Sequence, residues 1–140
     1  MRVIDMDPAA FGPVDGQDAP RIVVKVGSSL LANTPELRPR YAFMHGLLSD
    51  IANLRRRGFE VVLASSGSVA LGLNLLHADS ENAGVQEKQA AAACGQPILL
   101  NAYKQVALEC GFDIAQVLVT LEDMEESRRF LNTKNTIHKL

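Results

Sequence analysis

The chain has 140 residues, 47% hydrophobic and 21% charged, ordinary for a soluble globular protein and enough for one domain with a real core. A net charge of −2 argues against a nucleic-acid binder, and no apolar run approaches the roughly 18 residues of a membrane span. The amino terminus lacks the apolar core of a signal peptide, so a cytoplasmic protein is expected, with Cys94 and Cys110 reduced, buried and inert.

Residues 1–20 carry Asp5, Asp7, Asp15 and Asp18 against Arg2 alone, with three prolines and no hydrophobic period. That composition predicts a flexible extension, leaving 21–140 for the fold. In 21–30 a near-continuous Val/Ile run surrounds Lys25 and ends in Gly27-Ser28-Ser29. Such a run predicts a strand buried on both faces of a parallel sheet, with Lys25 at the carboxyl end, where open α/β sheets place ligands. An ammonium there needs a partner or solvent. Two readings stay open. Lys25 can point into water from an edge strand, or it can stand beside a glycine turn whose amides face an anion.

Residues 32–38 read as a polar loop, and Pro39 suits the first turn of a helix. Met44, Leu47, Leu48 and Ile51 then recur at i, i+3, i+4 and i+7, with Leu54 behind them, as an amphipathic stripe. Arg55, Arg56 and Arg57 complement the negative end of that helix, and Gly58 is a natural C′ residue. In isolation the arginine run resembles a nucleic-acid patch, but a solvated, dipole-matched helix end is favoured.

Residues 59–64 predict a second strand, which runs into Ser65-Ser66-Gly67-Ser68 and a helix over 69–77. Again a strand ends in a Ser/Gly turn that opens a helix, the arrangement that builds anion sites from free helix N–H groups. A serine N-cap explains the same residues without any ligand. Gly67 and Gly72 have P-loop spacing, but Leu73 and Asn74 follow in place of Lys and Ser/Thr, so there is no Walker motif. After a loop over 77–84, residues 85–94 form an alanine-rich helix, suited to close packing or simply of high helix propensity. Gly95-Gln96-Pro97 is expected to interrupt it. The helix resumes over 97–110 with Leu99, Tyr103, Val106 and Cys110 on one face. Residues 112–119 predict a third strand, Thr120 and Asp123 a helix cap, and Phe130, Leu131 and Ile137 a helix continuing to Leu140.

Three rounds of strand and helix predict an α/β fold, a three-layer αβα sandwich with a mainly parallel sheet and right-handed crossovers. Because the chain stops within a helix before a fourth strand, the expectation is the first part of a larger domain, truncated at its C-terminal end. Both Gly/Ser turns fall on one edge of that sheet. One offers a cation, Lys25, and the other offers donors around Ser66 and Gly67. That pairing suits phosphoryl transfer, where positioning and charge neutralisation supply most of the catalysis. His45, His77 and His138 have no carboxylate or cysteine at triad or metal spacing and read as surface residues.

Lys25–Leu30 (KVGSSL), Ser65-Ser66-Gly67, Lys88–Gln96 (KQAAAACGQ), and Thr120–Met124 with Arg129–Asn132 behind it resemble, in order and spacing, the signatures of the glutamate 5-kinase family. The resemblance covers 21–140, about the first half of that family's amino acid kinase domain. Acetylglutamate kinase, aspartokinase and uridylate kinase share the Lys-x-Gly opening but are not similar over 88–96. The resemblance implies ATP-dependent phosphorylation of the side-chain carboxylate of L-glutamate to glutamyl 5-phosphate, the first step of proline biosynthesis. It implies that Lys25 is catalytic and, with Gly27 and Ser28, contacts the nucleotide's phosphates, and that Ser66 and Gly67 bind glutamate. ATP and Mg²⁺ are the implied cofactors, with no metal ligand in this stretch, and a homo-oligomer is implied at full length. A glutamate carboxylate, with a pKa near 4.3, is already ionised at pH 7 and needs no general base.

Ser68 stands where the family usually has alanine, and Leu121 where arginine is common; neither is a residue given a role here. The family's Asn-Glu-Asn-Asp run, with its substrate-binding Asp and Asn, and its nucleotide-binding half are expected beyond Leu140. The 140 residues alone are therefore expected to be inactive. Two alternatives remain: the amino-terminal part of a bifunctional pyrroline-5-carboxylate synthetase, and a non-catalytic fragment that binds a kinase subunit or an effector such as proline.

Overall fold

A computed structural model describes residues 20–33, 38–78 and 82–140 of the chain; the extension expected over 1–20 lies, but for Pro20, outside them. From the amino end the elements are β1 (Arg21–Val26), α1 (Ser28–Leu31), β2 (Ala32–Asn33), β3 (Arg38–Pro39), α2 (Tyr41–Arg56), β4 (Glu60–Ser65), α3 (Ser68–Leu75), α4 (Val85–Glu109), α5 (Leu121–Glu125) and α6 (Ser127–Lys139). The fold is α/β. β1 and β4 pair in parallel, from Arg21 opposite Glu60 to Val26 opposite Ser65. β2 and β3 close the segment between β1 and α2 as a two-residue antiparallel pair, so the ends of the expected polar loop are extended.

Alternation along the strands sorts the sheet into two faces. Val24 and Val26 of β1, with Val61 and Leu63 of β4, pack into a core with Met44, Leu47, Leu48 and Ile51 of α2 and Leu99, Ala102, Tyr103 and Val106 of α4. The other face carries Arg21, Val23 and Lys25, and Val23 is 66% exposed. Burial on both faces, expected from the unbroken Val/Ile run, is therefore corrected: within the described residues one face of β1 is covered. On the open face Arg21 and Glu60, opposite one another in the ladder, form a salt bridge, with Nε 2.8 Å from Oε2.

The amphipathic stripe of α2 is buried as its spacing predicts. Its helix starts at Tyr41 rather than at Pro39, because Pro39 is held in the β2–β3 pair. α2 ends in a Schellman motif, in which Gly58 N–H bonds Arg55 O and Phe59 N–H bonds Leu54 O. The same pattern closes α4 at Gly111 and Phe112, and α3 at His77 and Ala78. The three C′ residues have φ values of +88° (Gly58), +85° (Gly111) and +51° (His77), so only the α3 end places a side chain in the left-handed region.

Two further expectations are corrected. α4 runs unbroken through Gly95-Gln96-Pro97. Proline removes the bond to the Ala93 carbonyl, but the buried stripe of Ala91, Gly95, Leu99, Ala102, Tyr103 and Val106 crosses the interruption and holds both halves on one axis. Residues 112–119 are not part of a ladder. A strand is defined by its partner, and among the described residues none pairs with this segment; Leu118 is 71% exposed. Cys94 and Cys110 are free, as expected, but half-buried rather than buried. α5 begins at the predicted cap, where Asp123 N–H donates to Thr120 Oγ1 at 3.3 Å and Thr120 N–H donates to Asp123 Oδ2 at 2.8 Å. α5 and α6 bury no residue.

α3 and α4 pack at near-backbone distance. A Cβ placed on Gly72 would lie 1.7 Å from Ala91 O, and one on Gly95 would lie 1.8 Å from Ser68 O. Of the two readings of the alanine-rich segment, close packing is the one realised.

Candidate functional site

Val26 and Ser65 are ladder partners at the carboxyl ends of their strands, so Gly27 and Ser66 leave the sheet side by side. Ser66 ties the two exits together. Its N–H and its hydroxyl both donate to Val26 O, each at 3.2 Å. Gly67 follows with φ +132° and ψ −11°, a backbone conformation that side chains rarely adopt. It is buried, and a Cβ there would meet Leu31 at 3.6 Å and Ser28 Cα at 3.8 Å. The β4–α3 turn therefore sits directly on the β1–α1 turn.

Lys25 projects from the open face and is exposed, yet its ammonium bends back over the turn. Nζ lies 3.8 Å from the position a Cβ would occupy on Gly27. A Cβ at Gly27 would stand in ordinary contact with that ammonium. Lys25, Gly27, Ser28, Ser66 and Gly67 are thus brought to one end of the sheet.

α3 opens immediately behind. Its N-cap is Gly67 and carries no side-chain capping bond, so the serine-cap explanation of this turn does not hold. Ser66 uses its hydroxyl on β1 instead. The first bond closing α3 is Leu71 N–H to Gly67 O, at 3.1 Å. The amides of Ser68, Val69 and Ala70 have no intrahelical acceptor, as at any helix start, and give the turn a partial positive charge. A cation, hydroxyls and helix-start amides together can neutralise and orient a multiply charged anion.

A neighbour that the sequence did not single out supports this end. Tyr103, buried on α4, places its hydroxyl 3.0 Å from Ser65 Oγ. Ser65 Oγ in turn donates to Ser66 O at 3.4 Å. Burial pushes the Tyr103 hydroxyl above its ordinary value, the Ser65 bond opposing in part, so it stays protonated at neutral pH. The sequence reading placed Tyr103 on an apolar stripe. The signal available was that a buried tyrosine hydroxyl usually finds a partner.

A separate depression lies elsewhere. It is an open groove of about 420 Å³ lined by Tyr41, Ala42, His45, Gln105, Val106 and Glu109, and it holds none of the five residues above. Glu109 there, 4.0 Å from His45, makes it a poor seat for a phosphate or a carboxylate. Among the described residues no group of three or more His, Cys, Asp or Glu is placed to hold a metal ion.

Parallel strands ending in adjacent Gly/Ser turns, one beside a lysine, place the chain among α/β domains. Residues 20–140 match the model of the amino acid kinase family, and the chain belongs to that family. Its relatives are more particular. The chain is 45% identical over 126 residues to the glutamate 5-kinase of Cereibacter sphaeroides, covering 90% of this chain and 34% of that protein. It is 46% identical over 120 residues to the glutamate 5-kinase of a Bradyrhizobium species, covering 86% and 32%. With the glutamate 5-kinase of a Ruegeria species the identity is 42% over 122 residues, covering 87% and 33%. The chain thus spans about a third of the length of these relatives.

Proposed function

We propose that this chain supplies the acceptor turn and the phosphate-facing lysine of a glutamate 5-kinase. The reaction is ATP-dependent phosphorylation of the side-chain carboxylate of L-glutamate to glutamyl 5-phosphate, the entry to proline biosynthesis. The observation that carries the reading is the junction of the two turns, in which Ser66 bonds Val26 O while Lys25 bends over Gly27. It sets a cation beside a neutral turn whose helix-start amides have no intrahelical acceptor, one for each partner of a transfer. The glutamate 5-kinases at 42–46% identity support the choice of acceptor.

In this reading Ser66 and the backbone at Gly67 hold glutamate. A carboxylate oxygen attacks the γ-phosphorus of ATP, the bond from that phosphorus to the β–γ bridging oxygen breaks, and ADP leaves. The acceptor is already ionised, so no base is required. Lys25 neutralises charge on the moving phosphoryl group, while Gly27 and Ser28 admit the phosphates close to the backbone. Mg²⁺, when bound, lowers the phosphate charge; it is usually held through substrate phosphates with one or two carboxylates, so it belongs with the nucleotide rather than with these residues. At full length we expect a cytoplasmic homo-oligomer that needs neither nucleic acid nor membrane. Among the described residues no helix is long and apolar enough to cross a membrane.

The test is a chimera. Residues 20–140 replace the matched third of the Cereibacter sphaeroides enzyme, and acyl phosphate formed from ATP, Mg²⁺ and L-glutamate is trapped with hydroxylamine. Glutamate-dependent hydroxamate is expected from the chimera, and none from the 140-residue chain alone at the roughly 1 s⁻¹ or more of an ordinary kinase. A folded chimera that is inactive, or that prefers another carboxylate acceptor, would contradict the reading.

A further inference from the structure

We propose that Tyr103 and Gly95 of α4 are positioning residues for the Ser66–Gly67 turn, so that the helix grips the turn from both sides. The proposal rests on the reading of Ser66 and Gly67 as the glutamate-binding residues. The geometry comes from two independent contacts. On the strand side, Tyr103 OH and Ser65 Oγ are 3.0 Å apart, and Ser65 Oγ donates to Ser66 O at 3.4 Å. A serine hydroxyl has one proton. With that proton directed at Ser66 O, Ser65 accepts from Tyr103, and the phenol fixes the peptide of Ser66 through one intermediary.

On the helix side, Gly95 packs against the residue that follows the turn. A Cβ on Gly95 would lie 1.8 Å from Ser68 O and 2.7 Å from Gly72 N, so any side chain there would push the start of α3 away. Gly95 and Tyr103 stand eight positions apart on the buried stripe of α4. Between their contacts on Ser65 and Ser68 lie only Ser66 and Gly67. Neither Tyr103 nor Gly95 needs to touch substrate. The unbroken course of α4 through Pro97 is what lets one rigid element hold both ends.

The decisive variants are Tyr103→Phe, which keeps the ring in the core, and Ser65→Ala, which removes the middle of the relay at an exposed position. In the 140-residue chain, Tyr103→Phe is expected to raise amide exchange at Ser66 and Gly67 about 3- to 10-fold, the loss of one net hydrogen bond, while α2 amides change by less than about twofold. In the active chimera the same variant is expected to raise KM for glutamate by about the same factor, leaving KM for ATP within about twofold. The Tyr103→Phe/Ser65→Ala double variant should be no worse than the poorer single, because both act through one relay. Unchanged exchange at Ser66 and Gly67, or a uniform rise across the chain, would overturn the proposal. So would glutamate and ATP KM values that rise together. An inactive unsubstituted chimera would refute the kinase reading, and the exchange measurement would still decide whether α4 holds the turn.

Discussion

Gly72→Ala sets helix propensity against the α3–α4 crossing, and the two predict opposite signs. In a helix interior alanine is favoured over glycine by about 1 kcal/mol, so propensity alone predicts stabilisation. The added Cβ, however, would lie 1.7 Å from Ala91 O and 2.4 Å from Ala91 C, where real Cβ atoms keep at least 3.0 Å. The obstruction is backbone, so it cannot rotate away. α3 and α4 would have to part by more than about 1 Å, loosening contacts around the buried Leu71, Leu73 and Ala91. Overpacking of this kind costs about 1–3 kcal/mol or more, and here it should exceed the propensity gain. Gly46→Ala, at an exposed position of α2, is the control, since a Cβ there meets nothing within 4 Å. In urea unfolding of the 140-residue chain, with a slope of about 1–3 kcal/mol per molar, Gly72→Ala should lower the midpoint by roughly 1 M. Gly46→Ala should raise it by a few tenths molar. If both substitutions raised the midpoint together, the close crossing would be refuted.

Other predictions follow from single residues. His77→Gly should stabilise the chain by about 0.5–1 kcal/mol, because the left-handed cost of a side chain exceeds the entropy cost of glycine; a lower urea midpoint would contradict it. Asp123 accepts from the hydroxyl and N–H of Thr120, and these bonds hold its carboxyl below the ordinary range. Its depressed folded pKa means the cap's contribution is present above the unfolded value of 3.8 and is lost as pH falls through the folded pKa. Thr120→Ala should therefore move the Asp123 titration, followed by carboxyl NMR shifts, upward; no movement would deny the hydroxyl its part. In the chimera, Lys25→Met should cut kcat roughly 10²- to 10³-fold with Tm unchanged. Near-normal kcat would return Lys25 to a plain exposed strand lysine.

Much of this architecture was legible because the decisive signals are local. The spacing of Met44, Leu47, Leu48 and Ile51 set the buried face of α2, Gly58 its end, and Thr120 with Asp123 the start of α5. The two Gly/Ser turns were likewise readable as strand exits. What the sequence hid depends on partners distant along the chain. Pro97 argues for a break by every local rule, yet tertiary packing of α4 on α3 and the core overrides it. The segment over 112–119 has strand composition, but composition supplies no hydrogen-bond partner. The uncovered face of β1 is a matter of what lies across it, which an apolar run does not state. Ser66 could be read as a helix cap or as a ligand group. Only the backbone, by placing Val26 O within reach, shows that Ser66 is not the helix cap and that its hydroxyl locks two turns together.

The central claim is that the two turns divide the work, with Ser66 on the acceptor side and Lys25 on the phosphate side. The most direct test is the pair of KM values of Ser66→Ala in the chimera. Losing the hydroxyl that ties this turn to Val26 O should raise KM for glutamate about tenfold, with KM for ATP within about twofold. An equal rise in both, or a larger rise for ATP, would contradict the assignment of this turn to glutamate.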